Sequence, residues 1–254
     1  MEVINNNDPT YSCNPKVTID GLSTTVNSLT VSYDSSMTTA LNSISPRFGN
    51  VKGGNTITFT GTNFDADHTK YTILIDNVAC VPTSASTTFV KCTAGKRPGI
   101  YEKPTLSLSI SDKGMIATKD LVYRYMNLWS DDDTWGGEFA PVEGESVYVP
   151  KGLHLLVDVD ATPILNAVIV EGSLVFPPND ADANHLRTFD AHYVFVNGGY
   201  LEVGTEEFPY TSKLVITMYG NKQSPEIPIY GNKCIAIRNG VLDMHGAPRN
   251  PTWT

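Results

Sequence analysis

The side chains best able to do chemistry in this sequence are carboxylates. Asp131-Asp132-Asp133, with Asp158 and Asp160 downstream, offers hard oxygen ligands of the kind that hold Ca²⁺. The competing reading is a solvated acidic loop. Asp180-x-Asp182-x-Asn184 begins like an EF-hand loop, but His185 stands where that loop needs glycine and Ala191 where it needs a bidentate Glu. Glu206 and Glu207 form a carboxylate pair such as glycosidases use, yet neighbours on an extended strand point to opposite faces and cannot share a site. His68, His154, His185, His192 and His245 are scattered; His185 and His192 flank Asp190 without the spacing of a metalloprotease helix. No catalytic residue and no cofactor is expected from these sets, and Ca²⁺ at the acidic run is the one metal alternative.

Lys91, Lys96, Arg97 and Lys103 form a basic cluster around Cys92. Such a patch would meet phosphates, an anionic glycan or water alone. Cys80 and Cys92, 12 apart and flanking Pro82 to Thr88, suit a disulfide that ties a hairpin; two reduced core cysteines are the other reading. A loop of that size contributes on the order of 3 kcal/mol in the chain-entropy treatment. Cys13 and Cys234 have no evident partner, and no Cys-x-x-Cys pair points to zinc.

The elements that must position these groups are strands. The 254 residues are 41% hydrophobic, with 20 Gly, 16 Pro and no long segment of helical period, which fits an all-β protein of two domains. No apolar run approaches the roughly 18 residues of a membrane span. The net charge of −9 is uneven: residues 42–126 carry ten bases and six acids, residues 127–254 seven bases and 17 acids. An acidic C-terminal half repels phosphate backbones, so nucleic acid is not an expected partner.

Within that half a Gly-x-Leu element recurs at Gly172, Gly199 and Gly240, each time after an alternating apolar run. Alternation, a glycine, then more alternation is what successive rungs of a parallel β-helix require, with glycine at corners whose φ angles it takes cheaply. The unequal spacing predicts an interrupting hairpin around Tyr210 to Tyr230. Residues 42–126 instead give short strands punctuated by turns, the pattern of a β-sandwich. Pro15 to Gly21 and Leu29 to Tyr33 repeat the strand, loop and strand outline of Leu106 to Ile110 and Leu121 to Tyr125. Residues 1–41 therefore read as the tail of a preceding module or a linker, and the chain as an excerpt of something longer.

Two family resemblances follow. Ile44-Ser45-Pro46-x-x-Gly49-x-x-x-Gly53-Gly54-x-x-Ile57-x-Phe59-x-Gly61-x-x-Phe64, with Cys80 and Cys92, resembles the immunoglobulin-like IPT/TIG domain over residues 42–126. Trp135, Gly144-Glu145-Ser146-Val147, Pro150-x-Gly152, Gly199-x-Leu201-x-Val203-Gly204-Thr205-Glu206, Ile216-x-Met218-x-Gly220 and Gly240-x-Leu242-Asp243-Met244-His245-Gly246 resemble the eight-glycine domain over residues 127–254. The second resemblance marks Gly144, Gly152, Gly172, Gly199, Gly204, Gly220, Gly240 and Gly246 as structural and His245 as a maker of a rung-end hydrogen bond. The order of the two domains is similar to that of fibrocystin-like proteins. It implies a non-catalytic, extracellular or cell-surface segment, cilium-associated in some members, that recognises a protein or glycan and neighbours further IPT and β-helix modules of its parent chain. Because relatives with the eight-glycine domain are linked to hyaluronan breakdown, a polysaccharide-binding or polysaccharide-degrading role is the alternative.

Overall fold

The computed structural model describes residues 10–13, 16–19, 22–25, 31–34, 38–97, 103–118, 120–179 and 181–248. Strands β1 (Thr10–Cys13), β2 (Lys16–Ile19), β3 (Leu22–Thr25) and β4 (Val31–Asp34) form two antiparallel pairs, β1 with β4 and β2 with β3. The strand expected at Pro15 to Gly21 therefore takes β3 as its partner, not the strand beginning near Leu29. The rest of the 1–41 segment, apart from residues 38–41, lies outside the described residues.

The first domain is built on alternation. In β5 (Ala40–Ser45), β7 (Thr56–Thr62), β8 (Tyr71–Ile75), β9 (Val78–Ala85), β10 (Phe89–Ala94), β11 (Leu106–Ile110) and β12 (Gly114–Met115), the strand order is β12-β11-β8-β9-β10-β7-β5, all antiparallel. Ile57 and Phe59 of β7, Ile73 and Ile75 of β8, Val90 and Cys92 of β10, and Leu108 and Ile110 of β11 point to one core. β9 changes partner along its length, pairing through Val78 and Ala79 with β8 and from Cys80 onward with β10. That switch lets the two halves of the seven-stranded path enclose a single core. The Cys80–Cys92 disulfide forms, both residues buried, and ties β9 to β10.

Two strands leave this pattern. β6 (Phe48–Asn50) pairs in parallel with β13 (Arg124–Leu128), through Phe48–Arg124, Gly49–Tyr125 and Asn50–Met126. The two strands of the Leu106 to Ile110 and Leu121 to Tyr125 outline do not pair with each other: β11 bonds to β8 and β12, and β13 to β6. Tyr123, just before β13, lies across Gly49, where any β-carbon would collide with its hydroxyl.

β13 continues into the second domain. Its Asn127 and Leu128 pair in parallel with Leu155 and Leu156 of β15 (His154–Leu156). From there β17 (Ser173–Val175), β19 (Tyr200–Val203) and β22 (Val241–Met244) stack in parallel, so one six-stranded sheet runs from β6 to β22. A second parallel sheet holds β14 (Val147–Val149), β16 (Leu165–Val170), β18 (Leu186–Asn197) and β20 (Lys213–Met218). Successive stretches of chain contribute to both sheets, and like side chains stack in columns: Leu155, Leu174, Leu201 and Leu242 in one, Val149, Val170, Val196 and the similar Ile237 in another. Trp129, Phe189 and Phe176 fill the space between, edge to face.

The region 210–230 is not a simple hairpin. β20 lies in register on the first half of β18, and β21 (Cys234–Arg238) on its second half, so one 12-residue strand carries two successors. The excursion between them accounts for the longer repeat interval.

The Gly-x-Leu glycines work by close approach. Gly172, Gly199 and Gly240 are absent from the positive-φ positions, which fall instead on Gly198 (φ 75°) and Asn239 (φ 53°). A β-carbon on Gly199 would sit 2.7 Å from the Gly172 carbonyl oxygen, and one on Gly240 would sit 2.8 Å from that of Gly199. Those carbonyls accept from the Tyr200 and Val241 amides at 2.9 Å, so they cannot retreat. Gly246 shows neither constraint: its φ is ordinary and the space around it is open. Gly199→Ala is therefore expected to lower stability by about 1–3 kcal/mol, as overpacking does, and Gly246→Ala to stay within about 0.5 kcal/mol of wild type; urea unfolding followed by circular dichroism measures both.

Candidate functional site at the domain junction

The parallel pairing of β6 with β13 brings charged residues of both domains to one seam. Asp131 accepts from Asn50 Nδ2 at 2.8 Å and from Lys52 Nζ at 2.7 Å, and Lys52 also reaches Asp133 at 2.7 Å. Asp131 further caps the short 3₁₀ turn Asp132–Trp135 by accepting the Asp133 amide. The Lys52 ammonium, and after it the Asn50 amide, hold the Asp131 carboxyl below the usual carboxylate range.

Deeper in the seam Arg124 donates to Glu202 at 2.6 Å, and Glu202 is 3% exposed. Arg124 also lies over the Phe48 ring at 5.3 Å; Arg47 lies 5.2 Å from that ring and 3.7 Å from Phe208. Two guanidinium groups and two rings thus join β6 to the loop after β19. On the first-domain side, Arg97 pairs with Asp76 at 3.3 Å and faces Tyr125. Both ion pairs border a cavity of about 310 Å³ that Met126, His154 and Tyr200 also line.

That cavity opens beside a shallow groove of about 680 Å³, with Arg124, His154 and Tyr200 common to both. Gly152, Gly172, Gly198, Gly199, Lys151, Glu171 and Val241 also line it. His154 Nδ1 is 2.7 Å from Ser173 Oγ. The Tyr200 hydroxyl donates to Asp243 at 2.5 Å, and His245 Nε2 holds the other oxygen of Asp243 at 2.9 Å. Burial first, and the Asp243 hydrogen bond second, push the Tyr200 phenol up, so it stays protonated at neutral pH.

Several residues expected from sequence lie elsewhere. Arg97 is a correction: it is 8% exposed and neutralised by buried Asp76, which removes it from the basic patch and leaves Lys91, Lys96 and Lys103 on the surface. Glu206 and Glu207 are not on a strand; they occupy an exposed bend after β19. Four of the five acidic residues considered for Ca²⁺ are separately engaged: Asp131 and Asp133 with Lys52, Asp158 with Ser130, Asp160 with His185 at 3.1 Å. His192 faces Tyr219 and stands apart from His185. His245, just after β22, bonds through its backbone to Val203 and Tyr210 and through its ring to Asp243. Of the two remaining cysteines, Cys234 is a free thiol, and the side chain of Cys13 lies outside the described residues.

Residues 39–125 match the IPT/TIG domain family and residues 134–254 the G8 domain family. An IPT/TIG domain here precedes a G8 domain. The chain is 32% identical to human Fibrocystin-L over 223 residues, which is 87% of this chain and 5% of that protein. It is 30% identical to dog Fibrocystin over 184 residues, 72% of this chain and 4% of that protein. Human Cell surface hyaluronidase CEMIP2 matches at 34% over 114 residues, 43% of this chain and 8% of that one. The chain thus spans about one-twentieth of the Fibrocystin-L relative. The TIG and G8 matches stop on either side of residues 126–133, the stretch that holds the end of β13 and the Asp131 latch.

Glu202, Arg124, Lys52 and Tyr200 carry this seam, and sequence reasoning singled out none of them. Arg124 and Glu202 are 78 residues apart, and nothing in the local pattern announces their pairing. The one usable signal was a carboxylate enclosed in Leu201-Glu202-Val203, where an unpaired charge would be costly.

The Asp131 latch is testable by titration. A carboxyl held below its unfolded pKa of about 3.9 contributes stability above that pH and loses it as pH falls through the lower folded value. Asp131→Asn should therefore lower the thermal midpoint at neutral pH and flatten its decline below about pH 4, read by calorimetry across an acid pH series.

Proposed function

We propose that this chain is a non-catalytic, extracellular ligand-recognition or adhesion segment of a large fibrocystin-like protein at the cell or ciliary surface. In this reading the G8 domain forms the opening rungs of a β-helix, and the TIG and G8 domains act as one stiff stalk. Neighbouring TIG and β-helix modules of the same parent chain extend it on both sides, and the ligand is a protein or glycan. The observation that carries the reading is the shared strand β13, because a stalk that presents a ligand surface needs a junction without a hinge.

Further support comes from the similarity to Fibrocystin-L across both domains, from the Cys80–Cys92 disulfide, which suits an oxidising compartment, and from the dispersal of the candidate acids and histidines. Among the described residues no helix is long and apolar enough to cross a membrane.

The second reading, polysaccharide processing, is favoured by one relative named a cell surface hyaluronidase, whose match covers 43% of this chain. The acidic balance of the G8 half opposes it, since a polyanionic chain would be repelled. Size-exclusion chromatography of hyaluronan after incubation with the chain is expected to show no shortening, and the immobilised chain is expected to support cell attachment. Depolymerised hyaluronan would replace the recognition reading with the enzymatic one.

A further inference from the structure

We infer that Asn239-Gly240, at the corner between β21 and β22, is a modification site: the asparagine deamidates spontaneously with the help of the backbone, leaving aspartate or isoaspartate.

The fold itself builds this dipeptide. The corner needs a residue at left-handed φ, followed by a glycine that lets the chain close on a neighbouring carbonyl. Gly198 (φ 75°) and Gly199 meet those needs ahead of β19, and Asn239 (φ 53°) and Gly240 meet them ahead of β22. Asparagine is among the few L-residues that enter the left-handed region readily. A β-carbon at position 240 would stand 2.8 Å from the Gly199 carbonyl oxygen, so glycine must follow it. No side chain then shields the Gly240 amide nitrogen.

The reaction needs only water. The Gly240 amide nitrogen attacks Cγ of Asn239 and forms a new C–N bond. The Cγ–Nδ2 bond breaks, and the side-chain nitrogen leaves as ammonia with the proton that the amide has lost. Water opens the resulting succinimide. Hydrolysis at Cγ gives aspartate; hydrolysis at the backbone carbonyl gives isoaspartate, whose main chain runs through the former side chain.

The sequence holds two Asn-Gly pairs, and the structure separates them. At Asn197-Gly198 both reacting groups are held: Asn197 Nδ2 donates to Glu171 Oε1 at 3.3 Å, and the Gly198 amide donates to the Arg238 carbonyl at 2.8 Å. The Asn239 side chain, the Asn239 carbonyl and the Gly240 amide have no hydrogen-bond partner among the described residues. Attack requires the peptide plane between residues 239 and 240 to turn over. That turn breaks no hydrogen bond, and glycine accepts either sign of φ. Asn239 is exposed, and among the described strands β22 is paired on one side alone, which favours local opening. Isoaspartate adds one carbon to the main chain ahead of Gly240. It therefore displaces the Val241 amide from the Gly199 carbonyl, to which it donates at 2.9 Å.

The test is incubation of the whole 254-residue chain in mildly alkaline buffer, with mass spectrometry of the peptides that carry each Asn-Gly pair and enzymatic methylation of isoaspartate. Asn239 is expected to convert about tenfold or more faster than Asn197. In urea the two should convert within about threefold of each other, because the fold makes the difference. Asn239→Gly, which copies the Gly198 corner, should remove the methylated product from this segment and leave the circular dichroism of the chain unchanged. In the isoaspartate fraction, hydrogen exchange at Val241 should speed up by about tenfold. An Asn239 that stays intact in the folded chain, or that converts no faster than Asn197, would overturn the assignment. A difference that persists in urea would overturn it too, by placing the cause in the flanking sequence.

Discussion

One strand, β13, belongs to two sheets at once, and the arrangement of the molecule depends on that fact. Its first half is held by β6 of the TIG domain and its second half by β15 of the G8 domain, both in parallel register. No free linker intervenes, so the usual expectation of independent domain motion, which rests on few and mostly polar contacts across a flexible segment, does not apply. Around the strand the seam is sealed at two depths. The Asp131 latch with Asn50 and Lys52 closes the surface, and the Arg124–Glu202 pair closes the interior. A buried ion pair adds little net stability compared with apolar packing, but removing one partner strands the other. Here it ties β13 to β19 across the two strands that lie between them.

Stacking in the G8 domain follows a nearest-neighbour rule. A strand buries its leucine only when another strand covers it: Leu201, between Leu174 and Leu242, is 1% exposed, whereas Leu242 on the outermost described strand of that column is 38% exposed. The close approach that makes this coverage possible is paid for at Gly172, Gly199 and Gly240, where the next carbonyl occupies the space of a β-carbon. Gly172 and Gly199 also line the groove at the domain junction. Scaffold and candidate site therefore share their glycines.

Much of this was legible in the sequence because it depends on local period. Alternation in Val147-Tyr148-Val149 and Val168-Ile169-Val170 marks strands with one buried face, and the turn residues and paired cysteines of the TIG domain carry their own geometry. The role of the glycines was misjudged because a corner that needs positive φ and a strand that needs close backbone contact both select glycine. The structure assigns the first role to Gly198 and Asn239 and the second to their successors. Arg97 was misplaced for a related reason: beside Lys96 it reads as part of a wet loop, and only the fold brings Asp76 against it. The pairings that weld the domains, Arg124 with Glu202 and Lys52 with Asp131, join residues far apart in the chain and leave no periodic trace. The sequence gives each partner an ordinary local setting.

The central claim is that the two domains move as one body. Spin labels at Lys91 in the TIG domain and Lys213 in the G8 domain, both exposed positions, measure it directly by pulsed dipolar spectroscopy with Cys13 and Cys234 replaced by serine. A single narrow distance distribution is predicted, broadening when Glu202→Ala strands Arg124. A broad distribution in the otherwise unaltered chain would contradict the shared-strand account.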